Sequence, residues 1–167
     1  MVKKRGITTD LYIWSLLRIA LGVIFLWAFL DKLFGLQFTT KPENAWLLGV
    51  SPTYGFLSAA TKGPFSEIYK SLAGAALIDW LFMIGLLLIG LALILGIGIK
   101  IAGYSGALLM FLMYLVILPP EHNPIFDEHI IYALVLMGLT YVKSGHILGF
   151  GEYWSNTKLV KQYRFLE

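Results

Sequence analysis

The stretch from Trp80 to Ile99 contains twenty residues and no charged side chain. The stretch from Ile101 to Leu118 is also uncharged, and Pro119-Pro120 ends it. A helix needs about 20 apolar residues to cross the hydrocarbon core of a bilayer. With 58% hydrophobic and 14% charged residues, the chain also has too little polar surface for a soluble domain of this size. These features predict an integral membrane protein.

Two further segments complete the predicted set of spans. Leu11–Leu36 is apolar apart from three charged residues. The uncharged part of the last segment, 130–142, would be only about 20 Å long as a helix. We expect it to begin earlier, with Asn123 as cap and Pro124 as first helical residue, or else to extend to Leu148. The sequence predicts an all-α, single-domain membrane protein over residues 1–167, a bundle of four transmembrane helices at about 11–36, 78–99, 101–118 and 124–142.

The placement of basic residues predicts the orientation of the bundle, because lysine and arginine concentrate in cytoplasmic loops. Eight of them fall on one side of the predicted spans: Lys3, Lys4, Arg5, Lys100, Lys143, Lys158, Lys161 and Arg164. Both termini, including the tail 143–167, are therefore predicted to be cytoplasmic, in a multi-pass protein of the plasma membrane.

The segment 37–77 is predicted to form an extracytoplasmic loop. Phe65, Ile68, Leu72 and Ala76 fall on one helical face within it. This spacing predicts an amphipathic helix that lies on the membrane surface.

A cluster of ionisable residues separates the last two predicted spans: Glu121, His122, Asp127, Glu128 and His129. It is either a solvated turn with a helix cap or a functional site. Grouped carboxylates beside a histidine in a low dielectric can exchange protons near neutral pH. We expect Asp79, which precedes the second span, to lie at the same depth. The candidate catalytic residues are Asp79, Asp127, Glu128 and His129.

The same cluster is not predicted to bind a metal ion. Its spacing matches no strong metal-binding signature, and carboxylates near a helix N-terminus are favoured by the helix dipole. The 167 residues contain no cysteine, so thiolate-ligated metals and iron–sulfur clusters are not expected. Haem is not expected either, because no two histidines lie within the predicted spans.

Two cationic residues of the first predicted span are candidate anion-binding residues. Arg18 lies about 10 Å into this span and either points into the bundle, towards an acid or a bound anion, or extends to the inner headgroups. Lys32 lies near the other end, where it either contacts an anion or anchors the helix at the headgroups.

The sequence resembles a known membrane-protein family. The run RIALGVIFLWAFLDKLFGL, with Arg18, Gly22, Phe25 and Lys32, resembles the first span of the DoxX superfamily. The segments WLLGVSPTYGF and NPIFDEHIIYALVL are similar to its DoxD branch. The resemblance covers roughly residues 10–150.

The resemblance implies a four-helix membrane subunit of thiosulfate:quinone oxidoreductase, which works with a small companion subunit. That enzyme oxidises thiosulfate to tetrathionate and passes the electrons to a membrane quinone. The motif match carries over Arg18, Lys32, Asp127, Glu128 and His129 as candidate site residues. The alternative is a non-catalytic subunit that anchors or assembles a larger membrane complex. The expected partners are lipid, quinone and a companion chain, and nucleic acid is not among them.

Overall fold

The computed structural model describes residues 9–123 and 125–167, and all regular structure within them is helical. The described α-helices are α1 (Thr9–Phe34), α2 (Tyr54–Ala59), α3 (Ser66–Leu72), α4 (Ala76–Leu95), α5 (Ile99–Ile117), α6 (Glu128–Tyr141), α7 (Gly151–Ser155) and α8 (Lys158–Gln162). Short 3-10 turns join them at Pro42–Asn44, Trp46–Leu48, Ser144–His146 and Arg164–Leu166. The predicted all-helical class is confirmed.

Three of the helices are long and apolar enough to cross a membrane. Helices α1, α4 and α5 contain 26, 20 and 19 residues. At 1.5 Å per residue they measure about 39, 30 and 29 Å, which matches the roughly 30 Å hydrocarbon core of a bilayer. Each also exposes large apolar side chains, such as Leu16, Leu81 and Leu108. These outward faces favour a lipid environment over water.

Helix α6 is shorter than predicted. It has 14 residues, or about 21 Å, and begins at Glu128 rather than at Pro124, which lies outside the described residues. The Asn123 carboxamide does not cap this helix, because its Oδ1 accepts hydrogen bonds from the amides two and three residues further on, at 2.9 and 3.0 Å. The cap is Asp127. The helix therefore begins later than the predicted residue 124, and the fourth span stays a prediction.

Helices α1 and α4 pack antiparallel at very close range. A Cβ atom built on Gly22 would lie 2.8 Å from Ile94 Cγ1, and one built on Gly90 would lie 2.8 Å from the Leu26 nitrogen. Small residues at such a crossing let two backbones approach closely, which is the main source of helix association within lipid. The two glycines therefore allow α1 and α4 to pack closely together.

Helix α5 packs against α6 in a similar way. A Cβ atom on Gly103 would lie 2.8 Å from the Leu136 carbonyl oxygen, and one on Gly106 would lie 3.1 Å from Leu136 Cδ1. The core formed by these contacts consists of Leu21, Phe25, Met83, Leu86, Ile89, Leu93, Ile99, Ala102, Ala107, Met110, Leu136 and Leu139. Arg18, Gly22 and Phe25 of α1 are also buried.

The bundle has two ends that carry different kinds of structure. The loop end holds segment 35–75 and the start of α6, and the tail end holds the turn 96–98 and residues 143–167. At the loop end, helix α3 forms within the segment that was predicted to be an amphipathic helix. Its Ile68 side chain is 61% exposed. That this face lies on a membrane surface stays a prediction.

Candidate functional site

The start of α6 brings an aspartate and a histidine into direct contact. His129 Nδ1 lies 2.6 Å from Asp127 Oδ2, and the two side chains are 14% and 7% exposed. The other carboxylate oxygen of Asp127 accepts the Ile130 amide at 3.3 Å and so caps the helix. The hydrogen bond from the Ile130 amide therefore orients the Asp127 carboxylate, and this carboxylate in turn orients the His129 ring.

This Asp127–His129 dyad leaves one ring nitrogen available. Because an ionised carboxylate can only accept hydrogen bonds, this contact favours the neutral tautomer in which His129 Nδ1 carries the hydrogen and Nε2 carries the lone pair. Nε2 makes no hydrogen bond within residues 9–123 and 125–167. A histidine oriented in this way can accept a proton at Nε2 while the carboxylate stabilises the resulting imidazolium.

Glu128 lies beside the dyad but is exposed to solvent. One ligand-type atom from each of Asp127, Glu128 and His129 lies within 4.8 Å of the other two. The three predicted catalytic residues at the start of α6 are thus brought together. The prediction that they hold no metal ion stays a prediction.

The fourth predicted catalytic residue, Asp79, contacts a different segment. Its Oδ1 accepts hydrogen bonds from Ser51 Oγ at 2.8 Å and from Thr53 Oγ1 at 2.6 Å, and Asp79 itself is buried. No hydrogen bond or ion pair within the described residues joins Asp79 to the dyad. In the structure Asp79 attaches the loop before α2 to the start of α4.

Asp31 and Lys32, at the end of α1, also bind a loop. The buried Asp31 carboxylate accepts the Thr39 amide at 2.9 Å, the Thr39 hydroxyl at 2.6 Å and the Phe38 amide at 3.2 Å. Lys32 Nζ lies 3.5 Å from the same Thr39 hydroxyl. Like Asp79, this pair of residues fixes the chain just outside a long helix.

Arg18 is fully buried and points into the bundle, as the first of the two predicted alternatives has it, and a bound anion at this residue stays a prediction. Its Nη1 donates to the carbonyl oxygens of Leu93 and, at 3.0 Å, of Ile94. Its Nη2 donates to the carbonyl oxygens of Ile147 at 3.1 Å and Leu148 at 2.7 Å. The guanidinium pairs with no carboxylate among the described residues, and with no exposure it does not extend to the headgroups.

With these contacts, all four carbonyl groups at the C-terminus of α4 accept a hydrogen bond. The last four carbonyls of a helix have no partner within it. Here Ala92 O accepts the Gly96 amide at 2.9 Å, Arg18 binds the next two carbonyls, and Leu95 O accepts the Phe150 amide at 2.7 Å. Arg18 therefore has a structural role, in which one side chain joins α1, α4 and the tail.

The tail segment 144–151 that completes this arrangement was missed in the sequence. Ser15 Oγ donates to Ser144 O at 2.9 Å, and a Cβ atom on Gly149 would lie 3.1 Å from Arg18 Nη2. Gly145 packs directly against Gly96. The glycine-rich run SGHILGFG was the available signal, since repeated glycines mark places where backbones meet closely.

Comparison with protein-family models, with curated proteins and with solved structures found no match to this chain. The resemblance to the DoxX superfamily therefore stays a prediction.

Proposed function

We propose that this protein is the membrane subunit of a quinone-linked oxidoreductase and that the Asp127–His129 dyad moves protons in its reaction. The observation that carries the proposal is the 2.6 Å contact between His129 Nδ1 and Asp127 Oδ2. It lies at one end of a bundle that has three helices of spanning length. With the orientation predicted from lysine and arginine, the dyad is at the outer face of the plasma membrane.

The chemistry of the dyad suits a quinone. A bound quinone supplies a two-electron acceptor that takes up two protons as it is reduced to quinol. Once protonated at Nε2, His129 would donate a hydrogen bond from Nε2 to a carbonyl oxygen of the ring and deliver that proton there. Asp127 stabilises the protonated imidazole before the transfer, and the exposed Glu128 returns a proton from solvent to the site.

The electron donor that we propose is thiosulfate. Two thiosulfate ions lose one electron each and form the central S–S bond of tetrathionate, which balances the two electrons that the quinone accepts. The 167 residues contain no cysteine, so no thiol of this chain takes part in forming that bond. We therefore place the thiosulfate site with a companion subunit, and the proton transfer with this chain.

A second candidate function is supported by the other predicted site residues. Arg18, Asp31 and Asp79 are all bound by groups of their own chain. A subunit that only anchors a larger complex needs such stabilised loops and helices and has no need of a reactive site. Only the dyad distinguishes the two functions.

The His129→Gln variant separates these functions. Glutamine cannot carry the proton, and removal of a general acid typically lowers a rate by about 100-fold or more. The measurement is thiosulfate-dependent reduction of a soluble quinone analogue by the protein purified with its native companion. The matched control is His122→Gln, which changes an exposed histidine of the preceding loop and should leave the rate unchanged.

Wild-type protein that reduces no quinone, although its companion is present, would favour the anchoring function. Equal rates for His129→Gln and His122→Gln would remove the dyad from the reaction.

A further inference from the structure

A cavity lies at the tail end of the bundle, opposite the dyad. Its volume is about 200 Å³, several times the roughly 30 Å³ that a water molecule occupies in the liquid. Its charged lining residues are Lys100, Lys143, His146 and Glu167. Apolar walls are provided by Leu139 of α6 and Trp154 of α7 among others. The cavity thus has two lysines, a histidine and a single carboxylate.

The three basic groups converge on that carboxylate. Glu167 Oε2 lies 3.6 Å from Lys100 Nζ, and Oε1 lies 3.4 Å from Lys143 Nζ and 3.9 Å from His146 Nε2. All three distances exceed the roughly 2.7–2.9 Å of a direct charge-assisted hydrogen bond. The Glu167 carboxylate therefore makes no close ion pair with any of the three basic groups. With a neutral His146, the side chains of Lys100, Lys143, His146 and Glu167 together carry a net positive charge.

The position of Glu167 is set by the tail. Trp154 Nε1 donates to the Leu166 carbonyl at 2.7 Å, and Lys100 Nζ donates to the Arg164 carbonyl at 3.3 Å. Burial alone would raise the pKa of Glu167. The nearby basic groups of Lys143, Lys100 and His146 together lower it by more, so the pKa of Glu167 is below its usual value. At neutral pH the cavity is therefore occupied by an ionised carboxylate of the same chain.

We propose that this cavity is a binding site for a phosphate group, in which the Glu167 carboxylate is an internal competitor. A phosphate dianion balances the two lysines better than one carboxylate does, and its tetrahedral oxygens reach several cations at once. Lysine binds phosphate well as a point charge. The phosphate belongs either to a lipid headgroup or to a small soluble ligand, since the cavity is open at the end of a membrane-type bundle.

The test uses the full chain purified in detergent and two probes. Inorganic phosphate is titrated by calorimetry, and phosphatidic acid is compared with phosphatidylcholine by native mass spectrometry. Glu167→Gln removes the competing charge and should tighten binding by roughly tenfold. Lys143→Gln, at a side chain that is 71% exposed, should weaken it by roughly tenfold without unfolding the protein. Lys158→Gln, outside the cavity, is the matched control and should leave binding unchanged.

Binding of inorganic phosphate would identify a soluble ligand, and selective retention of phosphatidic acid would identify a lipid headgroup. The proposal is overturned if neither the wild type nor Glu167→Gln binds either probe. It is also overturned if Glu167→Gln binds no tighter than wild type, or if Lys158→Gln weakens binding as much as Lys143→Gln.

Discussion

Replacing Arg18 with methionine is expected to destabilise the protein by about 3–5 kcal/mol, since it leaves several buried carbonyls without a donor. Methionine fills most of the volume but cannot donate. The carbonyl oxygens of Leu93 and Ile94, at the end of α4, would lose their partner, as would those of Ile147 and Leu148 in the tail. The free energy of unfolding, measured by denaturant titration in detergent micelles, reports the loss.

Two further variants make the result specific to the contacts of Arg18. Arg18→Lys keeps the charge but replaces the planar two-sided donor by one ammonium group, so we expect it to recover only part of the stability. Arg164→Met makes the same chemical change at an exposed arginine and should shift the unfolding free energy by less than about 0.5 kcal/mol. A loss below about 1 kcal/mol for Arg18→Met would contradict the structural role assigned to this residue.

Gly90→Leu is expected to separate α1 from α4 and to destabilise the bundle by about 3 kcal/mol or more. A Cβ atom at this position would lie 2.8 Å from a backbone nitrogen of α1, and a backbone cannot move aside as a flexible side chain can. Gly85→Leu is the matched control in the same helix, because a Cβ atom there meets nothing within 4 Å. The unfolding free energies of both variants should be measured under identical conditions.

Since leucine also favours helix formation over glycine, Gly85→Leu should be neutral or slightly stabilising. If both variants lost the same stability, the cause would be the substitution itself and not the close crossing of the two helices.

Much of the fold was predictable because it follows from local sequence patterns. The apolar runs predicted α1, α4 and α5 with errors of a few residues at their ends. The prediction failed at α6, where Asn123 and Asp127 are both good capping residues. Which of two nearby caps starts a helix depends on the turn between them, and the sequence does not show that turn.

The roles of the charged residues were not predictable in the same way. Asp79 was expected to belong to the acidic cluster, and Arg18 to face an acid, a bound anion or the headgroups. In the structure Asp79 accepts from two hydroxyl groups and a backbone amide, and Arg18 donates to backbone carbonyls. Leu93 and Ile147 are separated from Arg18 by 75 and 129 residues along the chain. A backbone carbonyl gives no signal in the sequence, since every residue has one. By contrast, the contact between Asp127 and His129 is local and was within reach of sequence reasoning.

The most direct test of the proposed function is the rate of thiosulfate-dependent quinone reduction by Asp127→Asn. Asparagine is as good a helix cap as aspartate, so α6 should keep its start. It has no charge, however, and cannot stabilise the imidazolium of His129. We predict a rate at least about 100-fold below that of wild type, with an unchanged unfolding free energy. A rate equal to that of wild type would show that the dyad does not transfer protons in this reaction, and would reduce Asp127 to a helix cap.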